Sequence, residues 1–404
     1  MSYFNNIQTQ YADSPSIDAF GRSRVSSPET LFNSKQIFDN SPLFFDDQQT
    51  SGSGTTSTYS NATASSTLAV SASTAGTRIR QTFQRFNYQP GKSHLVIITG
   101  NLKGSGGGAG ITRRLGYFDD NNGLFFQDNA GTVQVVRRTS TSGSPVDNTV
   151  SQSSWNLDKM DGTGPSGVTI DFTKSQIYVI DFEWLGVGRI RLGFVVAGII
   201  YYCHQFLNAN VLTNVYMSTP NLPIRFSIAN DGTGAASSII QICSTVIAEG
   251  GSQEVGTVKY FSTAGTFLTA TSAGTIYALL GFRLKSAFFG ATVIPFSVSL
   301  VAQTADIFEW ILKLNPTVAS TFTYSDITNS ALQSATGVTA NTVSGGTDLC
   351  GGFVYASTTQ ESNLTRNLRL GASIAGVADQ LVICVRPLTA GAHIQGGLIW
   401  NELL

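Results

Sequence analysis

Apolar and polar residues alternate in short runs along most of the chain. Between 68 and 250 the runs are TRIRQTFQRF (77–86), HLVIITGNL (94–102), GLFFQ (123–127), TVQVVRR (132–138), SQIYVIDFEWLG (175–186), GRIRLGFVV (188–196), GIIYYCHQF (198–206), PIRFSIAN (223–230) and SIIQICSTVIA (238–248). Each is bounded by Gly, Asn, Asp or Ser, and a period of two places one set of side chains on a buried face, so each run predicts a strand. No window repeats its apolar positions at helical spacing. Ala197–Gly198 separates two runs by two residues, which predicts a tight hairpin.

The pattern restarts after Gly250–Gly251 with TVKYF, TIYALLGFRLK, FSVSLVAQ, IFEWILKL, GGFVYAST, DQLVICVRPL and HIQGGLIW. The last two, joined by TAGA, are expected to form a closing hairpin. The prediction is an all-β chain of two antiparallel β-sandwich domains of the jelly-roll or lectin-like type, 67–250 and 251–404.

The N-terminal part reads differently. Residues 1–50 carry prolines and spaced aromatics without a sustained period, so they are expected to form an extended arm whose rings need a preformed surface, either the chain's own domain or a neighbouring subunit. Candidate interface residues there are Phe20, Arg22, Arg24, Phe32, Phe38, Phe44 and Phe45. The stretch 51–66, SGSGTTSTYSNATASS, reads as a Ser/Thr/Gly-rich linker or loop.

Composition supports strands and narrows the chemistry. Only 12% of the 404 residues are charged and the net charge is −1, so the basic footprint of a nucleic-acid binder is missing. Cys203, Cys243, Cys350 and Cys384 form no C-x-x-C pair, and three histidines are scattered. Four buried free thiols, a reducing compartment, and no metal or cofactor are therefore expected. MSYFNNIQTQY has neither the charge nor the apolar run of a secretory leader, and no apolar run reaches the roughly 20 residues that span a bilayer. No membrane partner is expected.

Several motifs have a plainer reading. PGKS (90–93) has Phe86 where a phosphate-binding loop needs glycine, and GSGGGAG (104–110) is followed by ITRR instead of a helix, so both are read as turns. DDNNG (119–123) clusters oxygens that suit a hard cation but lacks a later bidentate acid, which favours a β-turn. Arg22/Arg24, Arg78/Arg80 and Arg189/Arg191, each at i and i+2, are expected to form ion pairs between strands or between subunits with acids such as Asp18, Asp181 and Glu183.

VIDFEWLG (179–186) places Asp181 and Glu183 on one sheet face. It resembles the EIDFEFLG strand of lectin-fold endoglucanases and transglycosylases. That likeness puts Asp181 on the helper position and Glu183 on the acid/base position, with Val179 where the nucleophile would be. Retaining chemistry needs two carboxylates about 5 Å apart, and valine cannot attack an anomeric carbon, so no catalytic residue and no enzyme activity are expected.

DAFGRSRVSSPETLFNSKQIFDNSPLFFDD (18–47), RQTFQRFNYQPGKS (80–93), QSSWNLDKMDGTGPSG (152–167), FEWLGVGRIRLG (182–193) and FLNANVLTNVYMSTPNLPIRFSI (206–228) together resemble a group of virion-associated structural proteins of tailed bacteriophages and some large DNA viruses. The resemblance covers about 18–250. It implies a non-enzymatic particle component (capsid, head decoration, collar, tail or fibre), assembled in the host cytoplasm and residing in the virion. Its partners would be further copies of itself and other virion proteins. The alternatives are a glycan-binding adhesin contacting a host surface glycan through Tyr117, Phe118, Trp155 and Trp184, or a polysaccharide depolymerase.

Overall fold

A computed structural model of the chain describes residues 17, 18, 21, 27–251, 256–303, 306–355, 360–363 and 369–404, the side chains of 360–363 excepted. It is 55% strand and 2% helical, so the all-β expectation holds. Two compact units divide the chain: the first takes 1–43, 47–80 and 88–252, the second 44–46, 81–87 and 253–404.

The first unit is built on fifteen strands: β1 (Glu29–Lys35), β2 (Phe45–Gly52), β3 (Thr55–Ser60), β4 (Ser65–Val70), β5 (Gly76–Thr82), β6 (Ser93–Ser105), β7 (Ile111–Phe118), β8 (Gly123–Asn129), β9 (Thr132–Thr139), β10 (Val146–Ser151), β11 (Gln176–Phe182), β12 (Ile190–Val196), β13 (Ile199–Phe206), β14 (Ile224–Asn230) and β15 (Ser237–Glu249). One sheet runs β13-β12-β11-β6-β15-β4-β3, with β1 also on β15, and the other runs β10-β9-β8-β7-β14-β5-β2. The sheets meet through rings that alternation aims inward. Phe126 of β8 lies 5.0 Å from Tyr178 of β11 and 5.1 Å from Phe194 of β12, and Tyr117 of β7 lies 5.4 Å from Phe182. All five rings are buried, which is the apolar burial that holds a sandwich together.

Here the structure departs from the expected arm and linker. Residues 29–35 are a strand of the chain's own sheet, paired antiparallel from Glu29↔Ala248 to Lys35↔Cys243. Thr245 Oγ1 donates to the Phe32 carbonyl at 2.9 Å, and the Ser34 and Ser244 hydroxyls meet at 3.0 Å. Residues 51–66 lie mostly in the β3–β4 hairpin, paired from Thr55↔Val70 to Ser60↔Ser65. Threonine is β-branched and suits a pleated surface, and the Ser65, Ser66, Leu68 and Val70 side chains are buried. A polar composition had masked a half-buried strand pair.

Of the candidate interface residues, Phe32 and Phe45 are buried within the chain, at 7% and 3% exposure, while Phe38 (87%) and Phe44 (53%) are exposed. Phe20, Arg22 and Arg24 lie outside the described residues.

The second unit has a five-stranded sheet (Thr257–Ser262, Leu268–Ala270, Thr292–Ala302, Gln360–Asn363, Ala392–Leu403) and a six-stranded one (Tyr277–Leu284, Ile307–Leu314, Ser325–Asp326, Leu332–Thr336, Thr347–Tyr355, Gln380–Pro387). Trp310, Trp400, Phe282 and Tyr277 lie in their shared core. The expected closing hairpin is not formed. Gln380–Pro387 pairs in the six-stranded sheet and Ala392–Leu403 in the five-stranded one, so the TAGA connection crosses between sheets. Gln380–Pro387 carries a long buried run and Ala392–Leu403 a largely alternating one, and each finds partners on two sides of its own sheet.

All four cysteines are free, but only Cys203 and Cys384 are buried. Cys243 is half-buried and Cys350 is exposed, so the expectation of four buried thiols fails at these two positions.

Candidate functional site

The carboxylate strand β11 carries the acids singled out by the sequence. Tyr178, Ile180 and Phe182 point into the sandwich, so Val179 and Asp181 face the other way, onto the outer side of the larger sheet. Val179 is fully buried there, packed with Leu95 and Tyr202 and flanked by Ile97, Val195 and Ile200. An apolar cluster thus lies beside Asp181 on this face.

Asp181 is fully buried in a polar knot. Register sets it opposite Arg191, whose Nη2 donates to Asp181 Oδ2 at 2.5 Å, and Tyr202 OH donates to the same oxygen at 2.7 Å. The Arg191 guanidinium lies 4.2 Å from the centre of the Tyr202 ring. Arg191 Nη2 also donates to the Ile17 carbonyl, and Arg189 Nη2 donates to the Asp18 carbonyl at 3.1 Å. The chain's own residues 17 and 18 therefore lie against this face, with Asp18 5% exposed.

Glu183 sits one position beyond the strand, in a tight turn. Its backbone N–H donates to the Arg189 carbonyl at 3.1 Å, and Gly188 N donates to the Trp184 carbonyl at 2.8 Å. Its Oε1 accepts from Arg189 N at 3.0 Å. A Cβ on Gly188 would stand 2.2 Å from Glu183 Cγ, so glycine there makes room for the acid. Val179 thus lies in the apolar cluster and Asp181 is bound by Arg191 and Tyr202. Of the Arg pairs expected from sequence, Arg78 and Arg80 both reach Asp47, at 2.6 and 3.2 Å, and Arg191 pairs with Asp181, whereas Arg22 and Arg24 lie outside the described residues.

Three of the four aromatics proposed for sugar stacking are buried, and the fourth is half-buried. Tyr117 (0%), Phe118 (1%) and Trp155 (4%) are buried. Tyr117 OH donates to the Pro220 carbonyl at 2.9 Å and Trp155 Nε1 to the Val150 carbonyl at 3.2 Å. Trp184 is half-buried with its Nε1 on the Met217 carbonyl at 3.0 Å. Alternation had made these rings equivalent to exposed ones, whereas the sandwich puts them in or beside the core.

In DDNNG, Asp119 Oδ1 accepts from the backbone of Asn121 and Asn122 at 2.8 and 2.9 Å, and Asp120 pairs with Arg225. The loop's acids thus close a turn and bind a cationic side chain. Among the described residues no three His, Cys, Asp or Glu side chains converge as a metal site.

His94 is the site's least expected neighbour. It stands opposite Phe182, ringed by Phe182 (5.6 Å) and Tyr88 (5.2 Å), and burial pushes its imidazole down to about 3. Neither ring nitrogen has a hydrogen-bond partner, so it is a neutral core ring.

No protein-family model matches the chain, and no curated protein matches it. Among solved structures it is similar to an endo-1,3-beta-glucanase from Streptomyces sioyaensis, at 10% identity and a TM-score of 0.36 over 55% of this chain and 97% of that one. A CBM2 module of the Lactobacillus casei BL23 phage J-1 evolved Dit gives 9% identity and a TM-score of 0.36 over 56% and 98%. A legume lectin-like domain from Entamoeba histolytica gives 11% and 0.29 over 51% and 89%.

Proposed function

We propose that the chain is a non-enzymatic structural component of a virus particle that acts through self-assembly and subunit interfaces. One observation carries the non-enzymatic part: the face bearing Asp181 is filled by Val179, Leu95 and Tyr202 and lined by residues 17 and 18 of the same chain. The particle part rests on the long strings that resemble virion-associated proteins. Exposed Phe38, Phe44, Leu207 and Val211 agree with the particle part, because large apolar side chains left in water mark surfaces that meet a partner.

The test is the composition of purified particles. An antibody against the recombinant chain should label density-banded particles of the virus that encodes it, at a constant number of copies per particle. Detection only in the soluble lysate of infected cells would overturn the reading. A hydrolase would instead release reducing sugar from capsule or cell-wall polysaccharide, with loss of activity in Glu183→Gln. A glycan-binding protein would mark a glycan array at low micromolar concentration.

A further inference from the structure

A polar row crosses the outer face of the sheet that runs from β10 to β2. Register places Ser227 of β14 opposite Arg114 of β7, Arg114 opposite Gln127 of β8, Gln127 opposite Gln134 of β9, and Gln134 opposite Ser151 of β10. Arg113, Leu115 and Tyr117 are fully buried in the sandwich, so alternation turns Arg114 and the residues beside it outward. Four strand spacings make the row roughly 19 Å long.

Hydrogen bonds give the row a direction. Arg114 Nε donates to Gln127 Oε1 at 2.6 Å, and Gln127 Nε2 donates to Gln134 Oε1 at 2.8 Å. Both amide oxygens are thereby engaged, and what remains are donors. Among the described residues Arg114 Nη1, Arg114 Nη2 and Gln134 Nε2 have no hydrogen-bond partner, and all three reach the surface. The Ser227 hydroxyl beside Arg114 is likewise unpartnered among the described residues.

Charge on this face is left uneven. Arg114 and Arg138 lie 5.8 and 5.2 Å from the centre of the Phe125 ring, and Arg225 lies 5.5 Å from that of Phe118. Arg138 is bound by Asp147 through contacts of 2.7 and 2.9 Å, and Arg225 pairs with Asp120. Arg114 has no acid of its own among the described residues, so one positive charge stays uncompensated. Burial, and after it the Arg138 and Arg225 charges, pulls the Arg114 guanidinium down to about 10, which leaves it cationic at neutral pH.

An open planar fork flanked by amide and hydroxyl donors suits one carboxylate, taken bidentately. The surroundings favour a sugar over a protein as its carrier. Phe118 and Phe125 are 1% and 0% exposed beneath the guanidinia, so the row has no apolar centre of the kind a protein interface buries. Amides and hydroxyls instead match the hydroxyls of a carbohydrate.

We propose that the row from Ser227 to Ser151 binds the uronate carboxylate of an acidic polysaccharide, with Arg114 as the fork that takes it. Such a site goes beyond the assembly reading and does not depend on the chain's place in a particle.

Titration calorimetry of the full chain with oligomers of galacturonate, glucuronate and guluronate tests this, beside Arg114→Gln and Arg114→Lys. Unchanged thermal melts will confirm that the variants fold, and the methyl esters of the same oligomers test the carboxylate on the wild-type chain. At least one uronate oligomer should bind, its methyl ester should not, and salt at about 1 M should remove the binding. Arg114→Gln should weaken binding about tenfold or more, the share of a hydrogen-bonded charge. Arg114→Lys should restore little of it, because a point charge cannot form the fork. No binding of any uronate oligomer, equal binding of the methyl ester, or undiminished binding in Arg114→Gln would overturn the proposal. Oligoglutamate that binds as tightly as the best uronate would overturn the sugar as carrier and assign the fork to a protein carboxylate.

Discussion

Arg191 lies across the ring of Tyr202, and both side chains donate to a single oxygen of Asp181. This arrangement makes the carboxylate a structural anion. Arg191 and Tyr202 reach it from the outer side of one sheet, and the charge is neutralised where water does not reach.

Replacing that anion should unfold the region before it changes any chemistry. Asp181→Asn leaves Arg191 buried without its carboxylate, a loss of about 3–5 kcal/mol for a broken buried pair. Tyr202→Phe removes one charge-assisted donor and should cost about 1.5–3 kcal/mol. Urea unfolding of both variants checks the order; equal, negligible effects would show that the knot does not support the sheet.

Stability should fall in mild acid. His94 is neutral in the folded chain with its imidazole pushed down to about 3, whereas the unfolded chain takes up the proton near 6.5. The contribution is complete above about 6.5 and is lost as pH falls toward 3, at about 1.4 kcal/mol per pH unit at most. His204, pushed down to about 4 by burial and accepting from Asn156 N at 3.3 Å, acts in the same direction. Denaturation midpoints between pH 7 and 4 should drop in the wild type and drop less in His94→Leu.

Thiol labelling should be selective. Cys350 is exposed, while burial pushes the Cys203 thiol up and the Cys384 thiol up to about 12. A thiol-reactive dye should label Cys350 first, at a rate that rises with pH because partial burial raises its thiol too. Cys203 and Cys384 should react only after unfolding, and mass spectrometry of labelled peptides will show whether they do.

The β12–β13 hairpin holds Ala197 at φ 51°, in the left-handed region, followed by Gly198 at φ 82°. Such a turn favours Asn before Gly, and alanine pays a steric penalty there. Ala197→Asn should raise stability by about 0.5–1 kcal/mol, read as a higher melting temperature; a lower one would mean that the turn's geometry is different.

Sequence pattern exposed the fold wherever alternation was clean. The runs from β11 to β15 fall on observed strands, and the two-residue hairpin at Ala197–Gly198 forms as expected, with Val196 opposite Ile199. It failed where buried positions are polar. In β7 Arg113 is fully buried opposite Asp128, and a Cβ on Gly107 would stand 3.1 Å from Arg113 Nη2, so the glycine-rich loop packs against a guanidinium that breaks the apolar period. β1, β3 and β4 were hidden by serine and threonine for the same reason. At the carboxylate face the outward side of Asp181 was legible, but its closure was not. Ile17 lies 174 residues from Arg191, and no local pattern reports a contact of that span. Tyr202 was within reach: a turn at 197–198 sets it opposite Gly193, two residues from Arg191.

The place of β15 has a consequence for how the chain is made. This strand is flanked by β6 on one side and by β4 and β1 on the other, yet it spans residues 237–249, the last segment of its sheet to leave the ribosome. Pairings of such long separation are slow to form, and here the earliest strand synthesised waits for the latest. Nascent chains stalled with residue 236 just exposed should remain open to protease along residues 27–70, and protection should arrive abruptly once residue 249 has emerged. Until then the N-terminal edge depends on its own serines, threonines and charges to stay out of wrong pairings.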